Sequence, residues 1–371
     1  MKVRVFDMFE IFKETDKGRT GQLSLNHGIV TTPVYMPVAT RGAIRVAPLN
    51  ELKQLGYSLI LNNTYHLVLR PGLEVLEKIG GTHRFMGWDK NVLTDSGGFQ
   101  IYSLKHSMKI RNNGLEFRSP IDGTKFFFTP EFVAQAQNII GSDIAMQLDV
   151  CLGYPASESE AKKAMDVTLR WGERFSSVEP LQGQKRFGIV QGGFTKRLRR
   201  ESAVLTASLP FDGFAIGGLS VGEPEELMYE LTYEVLDALP KQAPKYMMGV
   251  GDPVQIVELA SMGIDMFDCV QPTRHARHGW VYSWQDGPQV IVRGKHKFDF
   301  RPLEYQPQYT YGYLHHLFKA GEPLGLFIAT VENLSYMADL MRKLRAAIEG
   351  GSVDSLKEEI RYQWRKRIIG E

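Results

Sequence analysis

Cysteine, net charge and long apolar runs are all scarce in this chain of 371 residues. Its two cysteines, Cys151 and Cys269, are too few for a disulfide framework or a four-thiolate zinc site. No apolar run approaches the roughly 20 residues that a membrane-spanning helix needs. The apolar stretch after Met1 is also too short for a signal peptide. We therefore expect a cytoplasmic protein without a membrane partner.

The formal net charge of +2 neither indicates nor excludes a nucleic-acid partner, because such binding depends on where the charge lies. Basic residues do cluster along the chain. The three clusters are Lys196, Arg197, Arg199 and Arg200; Arg293, Lys295 and Lys297; and Arg361, Arg365, Lys366 and Arg367. Each cluster alone is more typical of a solvated surface. Together with Arg274 and Arg277 they are consistent with a polyanionic partner.

About eight short apolar runs recur along the chain, separated by segments with helical periodicity. The runs cover residues 34–39, 58–62, 92–95, 144–149, 187–191, 213–217, 245–249 and 266–268. Apolar strands that alternate with helices are typical of a parallel sheet covered on both faces. About eight such units predict an α/β fold, the (β/α)8 TIM barrel. A doubly wound sheet stays open, although no glycine-rich dinucleotide motif follows the first run.

We predict one catalytic barrel domain over residues 1–371, with two additions to it. Residues 102–129 are too strand-like for a helix and contain a turn at 121–123, which predicts a small antiparallel β insertion. Residues 301–371 are predicted as a C-terminal helical region. Its helices are expected over 309–317, 331–349 and 353–369, with Gly350 and Gly351 ending the second one. Residues 281–292 resemble further strands.

Nearly every apolar run ends in polar residues or glycines. In a (β/α)8 barrel these ends gather at one rim, where barrel enzymes hold their active sites. The rim offers three aspartates, Asp95, Asp149 and Asp268. Glycosidic-bond chemistry characteristically uses two carboxylates, one acting at the anomeric carbon and the other moving protons. Arginines at positions 274 and 277, just beyond Asp268, suit phosphate recognition.

The same rim offers groups that suit a flat, nitrogenous ligand. Gln191 can both donate and accept hydrogen bonds, and glycines such as Gly218 allow a ligand to approach the backbone closely. Phe99 and Met248 could stack on a planar ring, although each is also a common core residue. The residues alone thus indicate a barrel enzyme for a planar nitrogenous ligand. A reading of these positions as turn, cap and core residues stays open.

Five motifs in order give the chain a close resemblance to the tRNA-guanine transglycosylase (queuine tRNA-ribosyltransferase) family. They are LTDSGGFQ at 93–100, GIVQG at 188–192, AIGGLSVGE at 215–223, YMMGVG at 246–251 and MFDCVQPTR at 266–274. The resemblance covers nearly the whole chain. It implies a pentosyltransferase that exchanges guanine at the wobble position of G-U-N anticodons, in tRNAs for Asp, Asn, His and Tyr, for a 7-deazaguanine. It also implies base flipping and a homodimer.

The resemblance implies a role for each residue at the rim. Asp268 corresponds to the nucleophile that attacks C1′ and forms a covalent ribosyl intermediate, and Asp95 corresponds to the general acid/base. Arg274 and Arg277 would hold flanking phosphates and bases. The residues that would read, stack on or assist binding of the base are Ser96, Phe99, Asp149, Gln191, Gly218, Leu219 and Met248.

Two positions bear on which deazaguanine is used. Bacterial members typically carry an Asp-x-Cys motif, here Asp149 to Cys151, and a valine, here Val221. The Val221 side chain would crowd the cyclopentenediol of queuine. Glu223 could pair with the exocyclic amine of 7-aminomethyl-7-deazaguanine (preQ1). The resemblance therefore implies a bacterial-type enzyme that takes preQ1 in preference to queuine.

The chain departs from the family pattern where members usually hold a structural zinc on three cysteines and a histidine. Residues 304–308 (EYQPQ) shorten the cysteine loop, and Ser335 stands at the histidine position. We therefore expect no zinc and no other cofactor. His315 and His316 are expected to pack or contact RNA. The side chains expected to close this region instead are Tyr305, Tyr309, Tyr311 and Leu317. Gln271 and His278 are smaller departures of unassigned effect.

Three alternatives are left open. A non-catalytic tRNA-binding partner subunit would keep the fold without the chemistry, although Asp95 and Asp268 are both retained. A barrel nucleoside hydrolase or glycosidase would act on small molecules and have no use for Arg274 and Arg277. An archaeal or phage branch of the family would modify other nucleic acids.

Overall fold

A computed structural model describes residues 6–103 and 108–369 of the chain. The start of the lead-in at residues 1–5, part of the predicted insertion at 104–107, the last two residues and the side chains of Arg365, Lys366 and Arg367 lie outside this description. In chain order the strands are β1 (Phe9–Thr15), β2 (Gly18–Leu25), β3 (Gly28–Thr32), β4 (Val34–Pro37), β5 (Leu59–Asn63), β6 (Asn91–Asp95), β7 (Met108–Arg111), β8 (Gly114–Arg118), β9 (Lys125–Phe128), β10 (Ile144–Met146), β11 (Lys185–Val190), β12 (Gly213–Ile216), β13 (Lys245–Met247), β14 (Met266–Cys269), β15 (Trp280–Val281) and β16 (Gln289–Val290).

Helices follow most of the barrel strands. They are α1 (Leu49–Gln54), α2 (Thr64–Leu69), α3 (Leu73–Ile79), α4 (Thr82–Met86), α5 (Gly98–Ser103), α6 (Pro130–Ile140), α7 (Glu158–Ser176), α8 (Lys196–Ala207), α9 (Glu225–Ala238), α10 (Pro253–Ser261), α11 (Gln271–Arg277), α12 (Tyr311–Ala320), α13 (Pro323–Gly350) and α14 (Val353–Ile369). A 3₁₀ helix spans Gly294–Phe298. Among the helices described, none combines the length and apolar character needed to cross a membrane.

Eight parallel strands form the central sheet, in the order β4-β14-β13-β12-β11-β10-β6-β5. The sheet closes on itself between β4 and β5, where the Ala39 N–H donates to the Leu61 carbonyl at 2.7 Å. Side chains alternate: Leu59 and Leu61 of β5 pack in the barrel interior, whereas Ile60 packs among the outer helices. Both faces are therefore apolar, which explains the continuous apolar runs. The predicted (β/α)8 barrel is confirmed.

The antiparallel sheet β1–β3 covers the amino-terminal end of the barrel. Leu23 and Val30 of this sheet pack with the interior side chains of the barrel strands. Arg19 on β2 forms a buried, bidentate pair with Asp265, with Nε–Oδ1 and Nη2–Oδ2 distances of 2.9 and 2.6 Å. The paired charges fix this sheet to the start of β14. The opposite end of the barrel stays accessible.

The predicted antiparallel insertion is present as the three-stranded sheet β7–β9, and α14 and the Gly351 C-cap also match the prediction. Other predictions were wrong in extent. Helix α13 begins at Pro323, eight residues earlier than predicted, and residues 281–292 contribute only parts of two short strands, β15 and β16. Helix α11 was not predicted. Pro272 lies in its first turn, where the missing N–H of proline costs no hydrogen bond.

The shortened loop at 304–308 is held by a buried carboxylate on α13. The Glu332 carboxylate accepts from the Tyr305 N–H at 2.9 Å and from the Gln306 side-chain amide at 3.0 Å. Tyr311, Leu317 and the half-buried Tyr309 pack in one apolar cluster, as predicted. Tyr305 instead packs against the main core and donates to Asp339 at 3.1 Å. Hydrogen bonds to Glu332 therefore support the loop together with apolar packing.

Buried His315 and Ser335, the serine compared above with a family histidine, each form a hydrogen bond with a backbone carbonyl. His315 lies 2.7 Å from the Ile291 carbonyl through its Nδ1. The Ser335 hydroxyl donates to the Val331 carbonyl at 2.8 Å. Both side chains therefore have structural partners here, and His316 is exposed.

We expect the purified protein to lack stoichiometric zinc, because the loop is closed by Glu332 and not by thiolates. Glu332→Ala should lower the free energy of unfolding by about 2–4 kcal/mol, since it leaves the Tyr305 and Gln306 donors unsatisfied. Elemental analysis and urea denaturation measure the two effects. Exposed Glu349→Ala on the same helix is the control and should change stability by less than about 0.5 kcal/mol. One zinc per chain would contradict the expectation.

Candidate active site

A cavity of about 280 Å³ lies at the carboxyl ends of the barrel strands. It brings together most of the residues predicted from the sequence. Those that line it are Asp95, Ser96, Phe99, Asp149, Cys151, Gly218, Leu219, Val221, Met248 and Asp268. Gln191 and Glu223 do not line it but bond to residues that do. Arg274 and Arg277 lie on α11, directly after the strand that carries Asp268.

Asp95 ends β6 and is surrounded by hydrogen-bond donors. Its carboxylate accepts from the backbone N–H groups of Thr64 and Gly97, each at 3.1 Å, from the Gln100 amide at 2.9 Å, and from the Asn63 amide. Burial nevertheless raises the pKa of the Asp95 carboxyl to about 7, and the neighbouring Asp268 carboxylate adds to the shift. A group with this pKa can gain and lose a proton near neutral pH.

Asp268, on β14, is held through one of its two carboxylate oxygens. Oδ1 accepts from the Tyr246 hydroxyl at 2.5 Å and from the Gly249 N–H at 2.9 Å. Burial raises the pKa of Asp268, and these two hydrogen bonds oppose that effect. Oδ2 has no hydrogen-bond partner among the residues that the structure describes. The carboxylate is therefore fixed in direction with one oxygen available to a ligand.

Asp149 and Gln191 form a polar pair at the ends of β10 and β11. The Gln191 amide donates to Asp149 Oδ2 at 2.7 Å, and the Ser96 hydroxyl lies 3.3 Å from Oδ1. Burial raises the pKa of Asp149 to about 6. Burial also raises the pKa of the Cys151 thiol to about 12, so that this cysteine stays protonated. Asp149 thus lines the cavity, and the Gln191 amide holds it in place.

The loop after β12 lies against this pair. Gly218 adopts φ +64°, and a Cβ atom there would lie 2.3 Å from the Gln191 Oε1 atom, so only glycine fits. The Glu223 carboxylate accepts from the N–H groups of Ser220 and Val221 at 2.5 and 2.9 Å. The N–H groups of Gly218 and Leu219 have no hydrogen-bond partner within the described part of the chain. Two backbone donors are thus left at the cavity wall.

Phe99 and Met248 both line the cavity, and Met248 also packs against the interior core of the barrel. The Phe99 side chain is 52% exposed, and Met248 is half-buried. An exposed aromatic ring at the mouth of a polar cavity is available to stack on a planar ligand. The alternative that Phe99 is a core residue is therefore wrong, whereas for Met248 contact with the core and with the cavity coexist.

Two arginines follow the strand that carries Asp268, whereas the basic residues of another cluster are paired or buried. Arg274 is exposed and Arg277 half-buried, and neither pairs with an acidic side chain within the described ranges. In the first basic cluster, by contrast, Lys196 pairs with Glu230, Arg197 with Glu158, and Arg200 with Asp237. Arg199 of that cluster is fully buried. Lys196, Arg197 and Arg200 thus form an ion-paired, solvated surface, as is typical of such a cluster, whereas Arg199 does not belong to that surface.

One group of side chains among the described residues has the composition of a metal site, at the other end of the barrel. His27 and His83 flank the buried Asp143, at 2.7 and 3.2 Å. The two imidazole rings stack with centroids 3.7 Å apart and planes 16° apart. A zinc ion must lie close to the plane of each imidazole that binds it, which stacked rings do not allow. The group is a hydrogen-bonded cluster in this conformation.

Comparison with known proteins identifies the family of this chain. The profile of the queuine tRNA-ribosyltransferase family matches residues 14–366. The queuine tRNA-ribosyltransferase of Caldanaerobacter subterraneus is 47% identical over 350 residues, which cover 92% of this chain and 93% of the relative. That of Desulforapulum autotrophicum is 45% identical over 369 residues, covering 97% and 99% of the two chains. The chain belongs to the queuine tRNA-ribosyltransferase family.

Several residues of this family member contribute to the site although sequence reasoning gave them no role. Asn63, Gln100 and Tyr246 bond directly to the two carboxylates. Each lies within or beside a polar strand end or a motif, which is the signal that could have identified them. Arg199 gave a misleading signal, since a basic residue among basic neighbours resembles a solvated surface.

The raised pKa of Asp95 has a consequence for stability. Between about pH 4 and pH 7 the folded protein keeps a proton on Asp95 that the unfolded chain releases, so the free energy of unfolding falls as pH rises through this window. Asp95→Asn should therefore be more stable than the wild type at pH 8, by up to about 4 kcal/mol, and nearly equal at pH 4.

Urea denaturation at the two pH values measures this difference. Asp354→Asn, at an exposed carboxylate, is the control and should leave the pH dependence unchanged. If the stability of Asp95→Asn relative to the wild type is the same at pH 8 and at pH 4, ionisation of the Asp95 carboxyl does not destabilise the folded protein.

Proposed function

We propose that this protein is a tRNA-guanine transglycosylase that exchanges guanine at the wobble position of G-U-N anticodons for a 7-deazaguanine. The observation that carries the proposal is the pair Asp95 and Asp268, which line one cavity in different environments. Asp95 has a pKa of about 7, whereas Asp268 accepts two hydrogen bonds that favour its ionised form. One carboxyl can therefore carry a proton while the other remains a nucleophile.

The proposed reaction is a double displacement. Asp268 Oδ2 bonds to C1′ of the target nucleotide as the C1′–N9 bond breaks, and the departing guanine receives a proton from Asp95. Asp95 then takes the N9 proton of the incoming deazaguanine. That nitrogen bonds to C1′, and the Asp268–C1′ bond breaks. Guanine leaves with the electron pair of the C1′–N9 bond, and Asp268 later leaves with that of the Asp268–C1′ bond, so the exchange needs no cofactor.

The cavity supports recognition of a purine-like base. Asp149, Gln191 and the N–H groups of Gly218 and Leu219 supply acceptors and donors for its edge. Phe99 and Met248 supply stacking surfaces, with Ser96 and Cys151 alongside. A cavity of this size admits one base and not a stacked helix, so the target nucleotide must leave the anticodon stack. Arg274 and Arg277 would hold the flanking phosphates.

We infer preQ1 as the incoming base. Val221 lines the cavity, where its side chain would meet a bulky substituent on the deazaguanine. Glu223 holds the N–H groups of Ser220 and Val221 and lies at the same edge. A cationic aminomethyl group is favoured beside this carboxylate. We also infer a cytoplasmic protein, since tRNA is the proposed substrate. We infer that it forms a homodimer, for which the exposed Tyr313 and His316 of α12 offer a surface.

Asp268→Asn should abolish guanine exchange and the formation of a covalent protein–RNA adduct, because the amide is a poor nucleophile. Labelled guanine in a G-U-N tRNA measures the exchange, and denaturing electrophoresis with and without preQ1 measures the adduct. Arg274→Ala is the matched comparison. It should raise KM for tRNA by about tenfold and leave the adduct intact. A wild-type protein without exchange activity would instead favour a non-catalytic partner subunit.

In direct competition, preQ1 should enter the tRNA faster than queuine. Val221→Gly should narrow the difference, because removal of the side chain gives the cyclopentenediol room. Competition between the two free bases, quantified by mass spectrometry of the digested tRNA, measures the ratio. Faster entry of queuine in the wild type would refute the inference.

A further inference from the structure

Arg199 is a buried cation without a buried anion. Its side chain is fully buried on α8, and no acidic side chain in the described ranges lies within ion-pair distance of it. Burial lowers the pKa of its guanidinium to about 10, which leaves it charged at neutral pH. Burying a charge is costly, and the carbonyl acceptors and the Glu223 carboxylate nearby offset this penalty only in part, since the pKa still falls.

The guanidinium donates only to backbone carbonyls, and these belong to the two loops beside the base-binding pair. Nε donates to the Gly193 carbonyl at 2.7 Å, and Nη1 lies 3.3 Å from the Val190 carbonyl. Nη1 also donates to the Gly217 carbonyl at 2.6 Å, and Nη2 donates to the Gly218 carbonyl at 2.9 Å. One side chain thus joins the loops after β11 and β12.

The last two carbonyls matter because of the peptide groups to which they belong. The Gly217 carbonyl shares its peptide with the Gly218 N–H, and the Gly218 carbonyl shares its peptide with the Leu219 N–H. A cation bonded to a carbonyl oxygen draws electron density towards it and makes the N–H of the same peptide a stronger donor. These two N–H groups are the donors that the structure leaves without partners at the cavity wall.

We propose that Arg199 is a positioning residue that strengthens the Gly218 and Leu219 N–H groups as donors to the departing base. The proposal rests on the proposed function. As the C1′–N9 bond breaks, negative charge accumulates on guanine. Preorganised donors directed at developing charge act mainly on the transition state. Arg199 polarises the two peptides and does not contact the ligand itself. It can therefore stabilise the leaving base while water is excluded from the cavity.

The test uses the full-length protein with a synthetic anticodon stem-loop RNA. Arg199→Met keeps the volume and removes the charge, and it should lower kcat by about 10- to 100-fold, while KM for the free base changes by less than about threefold. Arg199→Lys keeps the charge and should recover part of the loss. Arg200→Met, on the same helix and paired on the surface with Asp237, is the control and should leave both constants unchanged.

A leaving-group comparison separates the electrostatic role from a structural one. With 8-azaguanine at the wobble position, which leaves more readily as an anion, the kcat loss in Arg199→Met should shrink several-fold. An equal loss with both bases, or a loss confined to KM, would overturn the proposal. If Arg199→Met does not fold, Arg199→Lys is compared with Arg200→Met for both leaving bases. A kcat of Arg199→Lys that is lower than that of Arg200→Met by the same factor with guanine and with 8-azaguanine would overturn the proposal. Absence of exchange in the wild type would refute the proposed function instead.

Discussion

Removal of carboxylates from water at the mouth of the barrel is the constraint on which this structure depends. Asp95, Asp149 and Asp268 lie at strand ends, and burial raises the pKa of each one. Hydrogen-bond donors offset the free-energy cost of burying these carboxylates to different extents. Asp268 receives a hydroxyl and an N–H on one oxygen, and Asp149 receives an amide and a hydroxyl. Burial outweighs the donors at all three carboxyls, even at Asp95, which accepts from two backbone N–H groups and two side-chain amides.

The remaining architecture protects this arrangement. The sheet β1–β3 covers the opposite end of the barrel, and the Arg19–Asp265 pair fixes it there. Parallel strands place their carboxyl ends at one rim, so that Asp95, Asp149 and Asp268 meet there although they follow three different strands. The long helix α13 holds the shortened loop at 304–308 through Glu332. Stability therefore comes largely from parts of the molecule remote from the cavity.

Two buried cations show how context decides the function of a residue type. Arg19 has a carboxylate partner and serves the fold. Arg199 has only carbonyl partners and lies behind the donors that face the cavity. Arg200, one residue further on, is a surface ion pair. Arg199 and Arg200 thus differ in burial, in bonding partners and in role, because successive side chains on an α-helix are rotated by about 100°.

Local pattern in the sequence determined the fold class and most of the site of this protein. Eight apolar runs with helices between them specify a parallel barrel, since parallel strands must be apolar on both faces, and the polar residues that end those runs specify its rim. The tertiary structure alone decided what surrounds each residue. Tyr246 contacts Asp268 from the neighbouring strand, Glu332 binds a loop from another element, and Arg199 is buried in spite of its basic neighbours. Burial and hydrogen-bond partners arise between segments distant in the chain, and no short-range pattern records them.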